Sequence, residues 1–152
     1  MKVLMVCLGN ICRSPLAEGI LKNKINLKGL SIKVDSAGTA AYHVGEEPDV
    51  RAQEIAKKNG IDLSYQRARQ FQVEDFEDFD KIFVMDRTNY GDVAALARNE
   101  NDLKKVDLIL NTIYPGEDRQ VPDPYYGGED GFKNVFNMLD KSCDVILKDL
   151  NH

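Results

Sequence analysis

Val6-Cys7-Leu8-Gly9-Asn10-Ile11-Cys12-Arg13-Ser14-Pro15 is the segment around which the rest of this chain is predicted to fold. It follows a short apolar run and precedes an amphipathic helical pattern, so it predicts a strand, a tight loop and a helix N-terminus. Gly9 and Asn10 are residue types that tolerate the positive φ of such a loop. Ser14 suits the N-cap of the helix, and Pro15 suits its first position. Backbone N–H groups and the helix dipole would then favour a bound anion.

The side chains of this loop indicate chemistry on a phosphate-like oxyanion. Arg13 can form a bidentate fork to two phosphate oxygens. The positive surroundings favour the thiolate of Cys7, a strong nucleophile, and the Ser14 hydroxyl can hydrogen-bond its sulfur. We therefore expect Cys7 to attack and Arg13 to stabilise the transition state. The spacing alone also fits a small buried cysteine and a surface arginine, but the flanking strand and helix favour function.

The composition restricts the class of protein. The chain has 152 residues, 43% hydrophobic and 30% charged, which is typical of a single soluble globular domain spanning residues 1–152. No apolar run approaches the ~20 residues of a membrane span, so no membrane association is expected. The net charge of −5 argues against nucleic-acid binding.

The cysteines and histidines indicate the cellular compartment. Three cysteines form an odd, sparse set, which points to a reducing compartment rather than a disulfide framework. The first six residues are too short for a signal peptide, and they fit a strand. We therefore expect a cytoplasmic location. Two histidines and no closely spaced cysteine pair argue against a structural metal site.

Hydrophobic periodicity predicts an α/β fold. The first strand, helix and second strand form a βαβ unit, so the two strands should be parallel. Leu16, Ile20, Leu21 and Ile25 occupy one side of the first helix, and Glu18 lies away from that side. The turn at 36–39 should face the same site as the loop, because ligand sites gather at the carboxyl ends of parallel strands. The predicted strands are 2–7, 31–35, 81–85 and 106–110, and the predicted helices are 14–29, 48–58, 72–79, 87–98 and 129–150.

A long polar loop near the C-terminus supplies a candidate general acid. Pro122 and Pro124 bracket Asp123 and stiffen the chain, since each proline fixes its own φ and restricts the preceding residue. Two tyrosines, Tyr125 and Tyr126, follow directly. An ordinary Asp-Pro turn explains this loop equally well when it is taken alone.

Six blocks in one order resemble the low-molecular-weight protein tyrosine phosphatases, and the resemblance covers essentially the whole chain. A single block would be weak support, whereas six in the right order are very specific. The blocks are residues 7–15, 35–39, 48–52, 67–70, 85–86 and 123–128.

The resemblance implies a three-layer α/β/α, flavodoxin-like fold with a four-stranded parallel sheet of order 2-1-3-4 and helices on both faces. It implies that Cys7 is the nucleophile, Arg13 binds the phosphoryl group and Asp123 is the general acid and base. The implied reaction is hydrolysis of a phosphotyrosine-bearing protein through a phosphocysteine intermediate, without cofactor or metal. Phosphate or another oxyanion would occupy the loop.

Further site residues follow from the same resemblance. Tyr42, Tyr125 and Tyr126 would form aromatic walls around the substrate ring. Asn10 and Ser36 would brace the loop by hydrogen bonds, and Gln66 stands where relatives often carry a histidine that supports the loop asparagine. The amide of Gln66 can still donate a hydrogen bond to Asn10. The remaining residues expected to bind substrate or phosphate are Leu8, Gly9, Asn10, Ile11, Cys12 and Ser14.

Three other functions remain as alternatives. An arsenate reductase on this fold would need further cysteines, and residues 87–100 contain none. A protein-arginine phosphatase would be expected to carry threonine at Ile11, whose bulky apolar side chain favours an aromatic phosphoester. A phosphate-binding module without catalysis would need neither Cys7 nor Asp123.

Cys12 has two possible roles. It lies five residues from Cys7, so the two could form a disulfide under oxidation and protect the nucleophile. It could equally be a buried residue behind the loop.

Overall fold

The computed structural model describes residues 1–124 and 128–151, without the side chains of 128 and 129. Strands alternate with helices, as the βαβ pattern predicts. A 3-10 helix at Ile109–Thr112 follows the last strand. The order is β1 (Lys2–Cys7), α1 (Arg13–Lys28), β2 (Lys33–Gly38), α2 (Val50–Lys58), α3 (Asp75–Asp78), β3 (Lys81–Val84), α4 (Arg87–Ala94), α5 (Glu100–Lys104), β4 (Val106–Leu108) and α6 (Gly128–Leu150).

The four strands form one parallel sheet of order β2-β1-β3-β4, which confirms the predicted topology. β1 lies in the interior of the sheet, where Cys7 is paired with Gly38 of β2 and Val6 with Val84 of β3. Buried on both faces, β1 is a continuous apolar run rather than an alternating one. Cys7 therefore stands at the carboxyl end of the sheet, where α/β folds place their ligands.

Alternate residues of β1 enter two separate cores. Val3 and Met5 pack against α1 and α6 on one face, and Leu4 and Val6 pack on the other face with Phe76 and Val93, from α3 and α4. This alternation follows from the period of two in a strand. Helices thus cover both faces, as predicted. No helix among the described residues is long and apolar enough to cross a membrane.

Several element boundaries differ from the prediction, and the helix predicted over 72–79 covers only Asp75–Asp78. β2 is shifted toward Gly38, because it pairs residue for residue with β1 as far as Cys7. β4 ends at Leu108, and its last two predicted residues begin the 3-10 helix. The helix expected to reach residue 98 ends at Ala94, and a second helix begins after Asn99, whose side chain accepts a hydrogen bond from the Asp102 N–H.

Candidate active site

The loop from residue 8 to residue 12 joins β1 to α1. Asn10 adopts a positive φ of 57°, as predicted for this residue. Gly9 is not in the left-handed region, which corrects the prediction for it; an ideal Cβ there would lie 3.0 Å from Cδ2 of His43. The absent side chain of Gly9 therefore gives His43 room beside the loop.

Ser14 does not cap α1, so that part of the prediction is wrong. The helix begins at Arg13, the residue at the N-cap position is Cys12, and no side chain caps it. Ser14 and Pro15 are therefore the second and third helical residues. The Ser14 hydroxyl lies 3.0 Å from the sulfur of Cys7 instead, and the backbone N–H of Asn10 donates to the same sulfur over 3.3 Å. Cys7 is 3% exposed. The Asn10 N–H and the Ser14 hydroxyl, from the loop and the first turn, thus converge on the sulfur.

Asn10 is the centre of a buried hydrogen-bond network behind the loop. Its Nδ2 donates to the hydroxyls of Ser14 over 2.8 Å and Ser36 over 2.9 Å. Its Oδ1 accepts from the backbone N–H of Arg69 over 3.0 Å. These bonds use both Nδ2 hydrogens and one lone pair of Oδ1, and they hold Asn10 in its left-handed conformation. Asn10, Ser14 and Ser36 are therefore assembled as expected, but they lie behind the loop.

Gln66 does not support Asn10 in the way that the resemblance suggested. Its Nε2 donates to the carbonyl of Pro15 over 3.0 Å and lies 3.4 Å from the Tyr65 hydroxyl. The partners of the Asn10 amide are Ser14, Ser36 and the backbone N–H of Arg69 instead. Gln66 thus contacts the first turn of α1 rather than the loop.

Arg13 is fixed from behind by an acidic residue at the N-cap of α4. Its Nη1 donates to Oδ2 of Asp86 over 2.8 Å and to the carbonyl of Val121 over 2.9 Å. These bonds occupy both hydrogens of Nη1. Among the described residues no acceptor is bound to Nε or Nη2, which form one edge of the guanidinium. That edge is the one that can bind two oxygens of a tetrahedral anion.

A cavity of about 280 Å³ opens above the loop. It brings together Cys7, Arg13 and Asp123 from opposite ends of the chain. Its mouth is formed partly by Tyr42, which is 79% exposed. Tyr125 and Tyr126 lie outside the described residues. The lining residues are Cys7, Leu8, Gly9, Ile11, Cys12, Arg13, Tyr42, His43 and Asp123.

His43 and Asp86 were not identified as site residues from the sequence. The His43 ring lines the cavity, and its Nδ1 lies 2.7 Å from a carboxylate oxygen of Glu46. Asp86 is 73 residues from Arg13 in sequence, so only the parallel pairing of β1 with β3 brings the two together. A sequence signal existed for Asp86, because it directly follows a strand end.

The two thiols at the cavity have different surroundings. Burial raises the pKa of Cys12 strongly, and the nearby charges of Asp49, Cys7 and Asp123 raise it further, so Cys12 is a thiol at neutral pH. The sulfur of Cys7 instead lies beside the Asn10 N–H and the Ser14 hydroxyl.

Among the described residues no group of three potential ligand side chains could hold a metal ion. The arrangement can bind a dianion and attack it with sulfur.

Comparison with known proteins agrees with this chemistry. The family model for low molecular weight phosphotyrosine protein phosphatases matches residues 2–152. The Schizosaccharomyces pombe enzyme of that name is 41% identical, covering 98% of this chain and 96% of the relative. The human enzyme is 40% identical, covering 96% and 93%.

Solved structures share the fold over nearly the full length. A protein tyrosine phosphatase from Entamoeba histolytica, with Hepes in its active site, has a TM-score of 0.92 at 38% identity and covers 99% of this chain and 97% of its own. A Drosophila arginine phosphatase has a TM-score of 0.92 at 36% identity, covering 100% and 99%. The chain belongs to the low molecular weight phosphotyrosine protein phosphatase family.

Proposed function

We propose that this protein hydrolyses phosphotyrosine in protein substrates through a phosphocysteine intermediate on Cys7. The observation that carries the proposal is the convergence of Cys7, Arg13 and Asp123 on one cavity. A nucleophile, a cation and an acid are the three groups that this reaction requires. Membership of the family supports the same activity.

The first step transfers the phosphoryl group to sulfur. The phosphate dianion binds the loop N–H groups and the Nε–Nη2 edge of Arg13, and the Cys7 thiolate attacks phosphorus in line. An S–P bond forms as the P–O bond to the phenol breaks, and Asp123 gives its proton to the departing oxygen. Arg13 and the loop amides are fixed before the reaction, so they stabilise the charge on the equatorial oxygens without reorganising.

The second step releases the phosphate. Asp123, now a carboxylate, takes a proton from a water molecule that attacks phosphorus. The S–P bond breaks, and the electron pair returns to Cys7 as thiolate. Ser14 supports this leaving group, because its hydroxyl lies 3.0 Å from the sulfur. One carboxyl group thus acts first as an acid and then as a base.

The walls of the cavity support an aromatic substrate. Leu8 and Ile11 of the loop present apolar side chains, and Tyr42 presents a ring at the mouth. An aryl phosphate fits such walls, whereas the polar guanidinium of phosphoarginine gains little from Ile11. Tyrosine phosphate is therefore the proposed substrate, although the similar Drosophila protein is an arginine phosphatase.

Turnover of a phosphotyrosine peptide in EDTA tests the proposal. We expect hydrolysis by the wild type and by Cys143→Ser, and only background hydrolysis by Cys7→Ser. Cys143 is the matched control, since it is buried in α6 and removed from the cavity. A phosphoarginine peptide is assayed in parallel. Turnover of that peptide alone would contradict the assignment of substrate, and turnover of neither would contradict the activity.

The role of Asp123 is tested by varying the leaving group. Asp123→Asn should lower kcat/KM, which reports the first step, by about 10²–10⁴-fold for phenyl phosphate, whose leaving group needs a proton. The loss should be smaller for p-nitrophenyl phosphate, whose phenolate leaves unaided. Asp118→Asn, a change in the same exposed loop, should affect neither substrate. Equal losses for both substrates in Asp123→Asn would argue against a general acid at this position.

We further propose that residues 1–152 act as one domain in the cytoplasm. Both cores share one sheet, which supports a single folding unit. The three cysteines are all free thiols, which supports a reducing compartment. A single cooperative unfolding transition and recovery of the protein in the cytosolic fraction are the expected results.

A further inference from the structure

The hydrogen-bond network behind the loop continues beyond Ser36 to the surface of the protein. The Ser36 hydroxyl donates to Oε1 of Glu18 over 2.7 Å, and the Tyr65 hydroxyl donates to Oε2 over 2.6 Å. Glu18 is 4% exposed, although it is a charged residue on a helix. A buried carboxylate with two short hydrogen bonds needs an explanation beyond packing.

The direction of each hydrogen bond near the loop can be deduced. The backbone N–H of Arg69 donates to Oδ1 of Asn10, so the two Nδ2 hydrogens of Asn10 point to the serines. Each serine accepts from Asn10 and has one hydrogen of its own. Ser36 passes its hydrogen to the Glu18 carboxylate, and Ser14 directs its hydrogen to the sulfur of Cys7 at 3.0 Å rather than to the Ala37 carbonyl at 3.5 Å.

Tyr65 is the last residue of this hydrogen-bond network on the side of the protein surface. Nε2 of Gln66 lies 3.4 Å from the Tyr65 oxygen, which leaves the phenolic hydrogen for Glu18. The ring is held by the Lys22 ammonium, 4.1 Å from its centroid. Tyr65 is therefore fixed in position, and its ring stays in place when only the hydroxyl is removed.

We propose that Glu18 and Tyr65 are positioning residues: ionised Glu18 takes the Ser36 hydrogen, so that the Ser36 oxygen accepts from Asn10 and holds it, and with it Ser14, in place beside the Cys7 sulfur. The proposal rests on the proposed phosphatase function, in which Cys7 reacts as a thiolate. Neither residue touches the cavity, so both act through Ser36, Asn10 and Ser14.

The hydrogen bond from Asn10 to Ser36 requires an ionised Glu18. When Glu18 is protonated on Oε1 it donates to Ser36, and the Ser36 hydrogen is then left facing Nδ2 of Asn10, which is itself a donor. Burial raises the pKa of Glu18, and the hydrogen bonds from Tyr65 and Ser36 oppose this shift. Among the other charges that face Glu18, Asp35 raises its pKa and Lys22 lowers it. Loss of the Tyr65 hydroxyl therefore favours the protonated form, in which the Ser36–Asn10 hydrogen bond is weakened.

Tyr65→Phe tests the proposal, with Tyr114→Phe as the matched control. Both rings have a cation above them, and Tyr114 lines a separate cavity beside α6, with Arg119 3.9 Å from its centroid. For p-nitrophenyl phosphate we expect kcat of Tyr65→Phe to fall about five- to tenfold at pH 7, with KM changed less than twofold. The loss should grow toward pH 5. A pH profile identical to that of Tyr114→Phe would overturn the proposal.

A second measurement separates this proposal from the phosphatase activity itself. Alkylation of Cys7 by iodoacetamide, followed by peptide mass spectrometry, reports thiolate reactivity without turnover. At pH 6 its rate constant should fall about threefold in Tyr65→Phe. An unchanged rate would refute the positioning role, even if the wild type hydrolysed phosphotyrosine. A wild type without turnover but with this change would refute only the proposed function.

A double-mutant cycle tests the route through Glu18. If Tyr65 acts through that carboxylate, Tyr65→Phe should cause no further loss of kcat in a Glu18→Gln background. Independent, multiplicative losses would contradict the route. Should Glu18→Gln fail to fold, the pH profile and the alkylation rate of Tyr65→Phe still decide the proposal.

Discussion

Arg13 and Asp86 form an ion pair of 2.8 Å between the start of α1 and the end of β3. Arg13 is 4% exposed, so Asp86 provides the countercharge that allows a buried guanidinium beside the nucleophile. Asp86 also caps α4, because its Oδ1 accepts from the backbone N–H of Asn89 over 2.7 Å. One carboxylate thus fixes both a helix and the Arg13 guanidinium.

Asp86→Asn should separate these two functions. The amide oxygen can still cap α4, whereas the countercharge of Arg13 is lost. We expect kcat/KM for p-nitrophenyl phosphate to fall at least about tenfold, because the guanidinium edge is no longer held toward the cavity. Asp86→Ala should lower the free energy of unfolding by about 1 kcal/mol more than Asp86→Asn does, because alanine cannot cap α4. Steady-state kinetics and urea unfolding measure the two effects.

Asn99→Ala provides the control for the cap. Asn99 accepts from the Asp102 N–H at the start of α5, and it is not among the residues that line the described cavity. Its loss should lower stability by about 1 kcal/mol and leave kcat unchanged. Equal kcat/KM for Asp86→Asn and the wild type would show that Arg13 does not depend on this ion pair.

Two helical glycines should respond in opposite ways to alanine. A Cβ at Gly19 of α1 would lie 2.3 Å from Cδ2 of Leu63 and 3.1 Å from Cγ2 of Ile61. Because the buried Leu63 side chain must then shift within the core, Gly19→Ala should cost about 1–3 kcal/mol. At Gly91 of α4 no described atom lies within 4 Å, so Gly91→Ala should stabilise by about 0.5–1 kcal/mol. Urea unfolding distinguishes the two outcomes, and destabilisation in both variants would contradict the argument.

Glu18 should make stability depend on pH in an unusual direction. Burial raises its folded-state pKa above the ordinary value of 4.5, so the folded protein binds the proton more tightly than the unfolded chain does. The contribution of this group is fully present below about pH 4.5 and is lost as the pH rises through the folded-state pKa. Most carboxylates that gain a partner on folding behave in the opposite way.

The comparison of wild type with Glu18→Gln isolates that contribution. The difference in the free energy of unfolding between the two proteins should move in favour of the variant as the pH rises from 4 to 7. Glu54→Gln, on the exposed side of α2, gives the baseline for the same chemical change. A difference that moves in favour of the wild type over this range would show that the hydrogen bonds of Glu18 outweigh its burial.

The sequence predicted the sheet and the centre of the site for clear physical reasons. β1 is apolar throughout because both of its faces are covered, and α6 carries a regular apolar stripe, so periodicity identified both elements. Cys7 and Arg13 belong to one short loop, and the local pattern around them was sufficient. Their roles and that of Asp123 remain predictions, which the experiments above test.

The sequence did not reveal the supports of the site, because their partners are distant along the chain. Glu18 was placed away from the apolar side of α1, yet Ser36 and Tyr65 come from 18 and 47 residues away to bury and bind it. Ser14 has the residue type of an N-cap, but the sulfur of Cys7 and the amide of Asn10 engage its hydroxyl. Tertiary contacts override local preference in both cases.

Cys12 should protect Cys7 from irreversible oxidation. Peroxide would convert the Cys7 thiolate to a sulfenic acid, and the Cys12 sulfur would then displace water to form a disulfide. Since burial and neighbouring negative charges raise the pKa of Cys12, it is not the first thiol to be oxidised. We expect a Cys7–Cys12 link after treatment with peroxide, and full recovery of activity with dithiothreitol.

The variants Cys12→Ser and Cys143→Ser distinguish protection from simple burial. Cys12→Ser should lose activity permanently under the same treatment, because the sulfenic acid proceeds to sulfinic acid. Cys143→Ser should recover like the wild type, since Cys143 is buried between α6 and α1, where its sulfur faces the Ala17 carbonyl. Equal recovery of all three proteins, with no Cys7–Cys12 link by mass spectrometry, would mean that Cys12 only packs behind the loop.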